Sequence, residues 1–116
     1  WASNVYFRLC ELVVCQIEVA DLAGLELADA YDWYEAQREG LGEELLTEFR
    51  AACRRIEAIP FGYQVVETVD GNDVRRAPLD RFPYGIFYEV RESTIIVTAF
   101  FHAKRDPRRR YRRRDG

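Results

Sequence analysis

The apolar positions of this chain change period twice. Val13–Val19 (VVCQIEV) is a short, largely β-branched run, the pattern of a strand. Residues 1–12 are set apart as an N-terminal extension, because a strand from Val5 to Val19 would be long for a small sheet. From Asp21 the spacing lengthens. Ala23, Leu27, Ala30 and Tyr34 recur at helical intervals and form one stripe. Asp21 is expected to cap this helix, with further acids suiting its dipole. Gly24 within it costs about 1 kcal/mol relative to alanine, so a need for its small size is expected. Gly40-Leu41-Gly42 ends the helix. A second stripe follows, Leu45, Phe49, Ala52, Ile56 and Ile59, stopped by Pro60. So short a linker between two amphipathic helices implies an antiparallel helical hairpin.

Beyond Pro60 the period falls towards two. Tyr63–Val69 reads as a weak strand or loop, and Asp70-Gly71-Asn72-Asp73 as a turn. Val74–Leu79 reads as a strand whose Pro78 belongs at an edge or a bulge. Phe82-Pro83 marks another turn. Gly85–Arg91 and Thr94–His102 are strands joined by a tight hairpin at Glu92-Ser93. The last strand sets Ile95, Val97, Ala99 and Phe101 against Ile96 and Phe100. Apolar on both faces, it is expected at the centre of the sheet. Residues 108–114 read either as a short helix or as an unstructured end. The order β-α-α-β-β-β predicts an α+β fold of two layers, a helical hairpin on a small, mostly antiparallel sheet. The domain is expected over 13–107, followed by a basic tail at 108–116.

Charge sharpens this picture. The net charge is −3, but residues 104–116 hold eight basic and two acidic side chains, leaving the rest strongly acidic. Such a tail can seek phosphates, pair with an acidic partner, or be a solvated end. One histidine and three cysteines (Cys10, Cys15, Cys53) without a CxxC pair argue against a zinc site, and free thiols in a reducing cytosol are expected. No apolar run reaches the ~18 residues needed to cross a bilayer, and no signal peptide is evident. The sequence opens on Trp1 and holds no methionine, so its natural start is expected upstream, or the first dozen residues are not native.

The arginine-bracketed strands of residues 75–107 hold the candidate chemistry. Arg76, Arg81 and Arg105 are expected to converge near the sheet edge, where guanidinium forks could hold a phosphate. The alternative is that they pair with carboxylates, Asp80 and Asp106 being at hand. His102 shares a strand face with Thr98 and Phe100. It could move a proton, or simply pack at the strand end. Tyr84 and Tyr88 could stack on bases but fit the core better. The cluster Tyr31-Asp32-Trp33-Tyr34-Glu35 reads as helix packing. No phosphate loop, nucleophile elbow or usefully spaced carboxylate pair appears.

Several pieces occur together in order: Ala23-x-x-Glu26-Leu27-x-x-Ala30-x-x-Trp33-Tyr34-Glu35, Gly40-Leu41-Gly42, Pro60, Val74-Arg75-Arg76, Arg81-Phe82-Pro83-Tyr84 and His102-x-x-Arg105-Asp106-Pro107. Taken together they resemble the RelE/ParE superfamily of bacterial toxins, the toxin halves of type II toxin–antitoxin pairs, often labelled plasmid stabilisation proteins. The match spans residues 13–112 and departs from the family at residues 1–12. The resemblance implies a cytoplasmic toxin without a cofactor, held in check by a cognate antitoxin whose C-terminal segment wraps it. It implies one of two targets. RelE-like members cut mRNA on the ribosome without metal. In that case Arg76, Arg81, His102 and Arg105 would be the catalytic set, with Tyr111 in place of a terminal tyrosine. ParE-like members poison DNA gyrase and lack such a set. Arg75, Lys104, Arg108, Arg109 and Tyr111 would then contact the target or a nucleic acid. Arginine at the basic positions, with no second proton-transfer group, favours the ParE-like reading. A nucleic-acid-binding module built on the tail, or a non-toxic relative, are the further alternatives.

Overall fold

The computed structural model describes residues 16–103. Residues 13–15 of the expected first strand, the N-terminal extension and residues 104–116 lie outside the described residues. The elements run β1 (Gln16–Val19), α1 (Asp21–Gln37), α2 (Leu41–Ala58), β2 (Gln64–Val69), β3 (Asn72–Pro78), β4 (Tyr84–Arg91) and β5 (Thr94–His102). The sheet order is β1-β5-β4-β3-β2. β1 lies parallel to β5 and every other pair is antiparallel. The fold is therefore the expected two-layer α+β arrangement, but the central strand is β4, with β5 an inner strand between it and β1. No helix among the described residues is long and apolar enough to cross a membrane.

Both helices pack on one face of the sheet. Ala23 and Ala30 of α1 and Leu45, Phe49, Ala52 and Ile56 of α2 bury against Ala77, Ile86, Tyr88, Ile95, Val97 and Phe100. A smaller cluster on the other face joins Val74, Phe87, Ala99 and Phe101. Burial of such side chains contributes on the order of 1.5–3 kcal/mol each, which drives the layering. Tyr88, fully buried, donates its hydroxyl to the Pro60 carbonyl at 2.7 Å, fastening the end of α2 to the sheet. That places Tyr88 in the core.

Several local expectations need correction. Asp21 does not cap α1. The N-cap is Ala20, and Asp21 sits in the first turn, where its charge still favours the helix dipole. Nothing needs the smallness of Gly24, since a Cβ there would meet no atom within 4 Å. The linker is Arg38–Gly40, and Leu41 and Gly42 already belong to α2. Gly40 adopts φ 90° as its N-cap, a conformation that favours glycine. Ile59 has left the helix and is 55% exposed, so it is not part of the α2 stripe. The turn before β3 is confined to Asp70-Gly71, both at positive φ, with Val69 paired to Asn72. Pro78 sits on an inner strand. β2 pairs β3 only as far as Arg76, so Pro78 has no neighbour on that side and its missing N–H costs no ladder bond.

The largest departure lies inside β5. Tyr88 pairs with Val97 while Phe87 pairs with Ala99, so Thr98 is an extra residue, a β-bulge. Its hydroxyl donates to the Phe87 carbonyl at 3.2 Å. The bulge switches the phase of the strand. Ile95 and Val97 face the helices, but beyond Thr98 it is Phe100 that does so, while Ala99 and Phe101 face away. The strict alternation expected for this strand therefore breaks in its middle.

Candidate functional site: a cleft between the first helix and the last strand

β1 stops at Val19, where the chain turns into α1, with Ala20 N–H bonding the Val97 carbonyl at 2.9 Å. Past Val97, β5 has no strand on that side among the described residues. α1 lies there instead, and the Phe100 N–H donates to Glu26 Oε1 at 2.9 Å. Between this half of β5 and α1 lies an open cleft of about 470 Å³. Glu26, Asp29, Trp33 and Tyr34 line it from the helix, and Tyr84, Phe100 and His102 from the sheet.

Its floor is a chain of aromatic contacts. Tyr84 stacks on Phe100 with centroids 4.7 Å apart, and meets His102 edge-on at 5.1 Å and Tyr34 at 6.2 Å. Tyr34 in turn meets Phe82 and Trp33, each at 5.0 Å. Such offset and edge-on pairs fix ring orientation beyond what burial alone does. Burial beside the Tyr84 hydroxyl raises the Tyr34 pKa above its ordinary value, so it stays a neutral donor. Trp33 remains 58% exposed at the rim.

Of the arginines expected to converge, Arg76 and Arg81 are described, and they turn to different parts of the molecule. On β3, alternation sends Arg75 and Arg76 to opposite faces of the sheet. Arg75 is engaged on the helix side, donating to the Phe61 and Tyr63 carbonyls at 3.1 and 2.7 Å and lying 5.4 Å over the Phe61 ring. Arg76 lies on the other face across Gly85, where an added Cβ would fall 2.9 Å from its Nε. Arg81 turns to the start of α2 and pairs with Glu44 at 2.6 Å. That hydrogen bond lowers the Glu44 pKa and raises that of Arg81. Asp80, the partner considered for Arg81, instead donates its backbone N–H to Glu48 Oε2 at 2.9 Å. His102 stands in the cleft, on the face opposite Arg76. Lys104, Arg105, Arg108, Arg109 and Tyr111 lie outside the described residues.

The cluster Tyr31–Glu35 does more than pack. Glu35 accepts the Gly40 and Gly42 N–H groups at 2.9 and 2.8 Å, capping α2 from α1. Tyr31 donates to Glu43 at 2.8 Å across the same junction. Glu26 and Asp29 were missed as cleft walls. The signal was available, since Leu22, Glu26, Asp29 and Trp33 form a second helical stripe beside the buried one.

A family model described as the ParE toxin of type II toxin–antitoxin systems, parDE, matches residues 17–107. The chain belongs to the ParE toxin family. As a ParE-family toxin it has a cognate antitoxin as the partner its membership implies. Among solved structures it is similar to a chain of the chromosomal ParDE toxin–antitoxin system from P. aeruginosa. The TM-score is 0.66 at 16% identity, covering 77% of this chain and 96% of that one. At that identity the likeness concerns the fold. No curated protein matches the sequence.

Proposed function

We propose that this ParE-family toxin acts in the bacterial cytoplasm by binding DNA gyrase, with its antitoxin blocking that contact, rather than by cutting mRNA. One observation carries the preference. Arg76 and His102 lie on opposite faces of the sheet, and Arg81 is held by Glu44. Metal-free phosphodiester cleavage needs a proton-transfer group and phosphate-stabilising cations around one point. The described residues do not gather them. A toxin that works by occupying a protein target needs no such cluster, only a surface.

The test is a side-by-side assay of the purified chain. It is titrated into a gyrase supercoiling reaction and into a translating extract probed for mRNA cleavage. Loss of supercoiling with intact mRNA is expected. The His102→Ala variant is expected to keep its toxicity in cells. Ribosome-bound mRNA cleavage that disappears in both His102→Ala and Arg81→Ala would overturn the proposal in favour of a RelE-like ribonuclease.

A further inference from the structure

A toxin that grips a protein target needs an exposed and prearranged contact, and the segment joining α2 to β2 has that form. Phe61 is 65% exposed and Ile59 55%, and Val65 of β2 is 37% exposed. Single apolar side chains in water are ordinary, but these three lie together. Arg75 stands opposite Val65 across the strand pair and lies 5.4 Å over the Phe61 ring, so both border one guanidinium. Ile59 folds back on Gly62, where an added Cβ would fall 3.0 Å from its Cδ1. Four hydrogen bonds pin the backbone beneath them. Tyr88 donates to the Pro60 carbonyl at 2.7 Å, and Arg75 to the Phe61 and Tyr63 carbonyls at 3.1 and 2.7 Å. The Gly62 N–H donates to the Ile59 carbonyl at 2.9 Å. A ring held in water on a fixed backbone loses little freedom on binding, and aromatic and arginine side chains are enriched where interfaces draw their energy.

Charge selects the occupant. Residues 54–65 hold two arginines and one glutamate, and Arg75 adds a third guanidinium. Arg54 and Arg55 are exposed near the end of α2 and form no ion pair among the described residues. A second copy of this chain, docked here, would set these cations against one another. The surface fits a different protein, one whose apolar pocket carries carboxylates at its rim. We propose, resting on the gyrase reading above, that Phe61 with Ile59 and Val65 is the anchor by which the chain grips gyrase, seated in such an acidic-rimmed pocket. Arg75 is a positioning residue that holds the ring, and Arg54 and Arg55 meet the rim.

The test titrates the purified full chain into a gyrase supercoiling reaction. Phe61→Ser, at an exposed position, should keep the far-UV circular dichroism of the parent and raise the concentration for half-inhibition about tenfold or more. Ile59→Ser should raise it too. Arg54→Glu combined with Arg55→Glu should raise it about fivefold. Leu25→Ser removes an equally exposed apolar side chain from α1 and should leave it within about twofold. Phe61→Ser inhibiting as well as the parent, or Leu25→Ser weakened as much as Phe61→Ser, would overturn the assignment of this surface and leave the gyrase reading standing. Stronger inhibition by the charge-reversed variant would overturn the acidic rim. A parent chain that leaves supercoiling intact would overturn the gyrase reading and the anchor together.

Discussion

The same substitution at two helical glycines should have opposite effects. Gly24 and Gly42 both lie within helices, and neither has a positive φ. At Gly24 a methyl group meets nothing within 4 Å. Gly24→Ala therefore removes only the backbone entropy that glycine loses on folding, a gain of about 1 kcal/mol. At Gly42 the added Cβ would lie 2.8 Å from Glu35 Oε1 and 2.9 Å from the Tyr31 ring. Neither neighbour yields freely. Glu35 is pinned by the Gly40 and Gly42 N–H groups, and Tyr31 by Glu43. Overpacking of this kind costs about 1–3 kcal/mol, and with both neighbours pinned we take about 2–3 kcal/mol, which exceeds the ~1 kcal/mol of helix propensity that alanine adds by about 1–2 kcal/mol. At roughly 4 °C per kcal/mol for a domain of this size, Gly24→Ala should raise Tm by about 4 °C and Gly42→Ala should lower it by about 4–8 °C. Urea unfolding should show the midpoints moving apart with unchanged m-values. Shifts of the same sign, or a stabilised Gly42→Ala, would refute the claim that α1 and α2 touch at Gly42 too closely for a methyl group.

Three further outcomes follow from particular contacts. Glu35→Ala strips the start of α2 of an acceptor that takes two N–H groups, and should cost about 2 kcal/mol in urea unfolding, with Glu35→Gln losing less. Tyr88→Phe leaves the Pro60 carbonyl without its 2.7 Å donor and should cost about 1 kcal/mol, measurable by thermal unfolding. Burial pushes the Cys53 thiol from 9.0 up to about 12 and the Tyr88 hydroxyl from 10.0 up to about 12. Both groups hold their protons more tightly folded than unfolded, so this stability is complete below pH about 9 and is lost as pH rises towards 12. Between pH 8 and about 10.5, Cys53 alone should remove on the order of 2 kcal/mol, a loss absent from Cys53→Ala.

How much of this was legible in the sequence depended on how local the cause was. Ala23, Ala30, Leu45 and Phe49 announce helices because burying one face requires apolar side chains at helical spacing. Val74 and the β4 and β5 runs announce strands in the same way, and the order of elements then leaves few ways to form two layers. Features set by distant neighbours were hidden. Glu35 looks like one more polar residue of α1 until the hairpin folds α2 onto it. The position of Ile59 depends on where α2 unwinds before Pro60. At the site, alternation already places Arg76 on the sheet face away from the helices, whereas Arg81 lies beyond the strand and turns to α2. The reach of Arg81 to Glu44, 37 residues away, has no local signature.

The extra residue in β5 bears on how relatives of this chain should be compared. A regular strand would carry its pairing with β4 through this region with one residue fewer. Thr98 is that surplus residue, and the residues on either side already keep the partners and faces such a strand would give them. A family member that lacks it would align by a single gap in the middle of β5, not in the Glu92-Ser93 hairpin where gaps are usually placed. Misplacing that gap would offset the residues between the hairpin and Thr98 by one, and would set Ile95 and Val97, which face the helices, against positions on the sheet's other face.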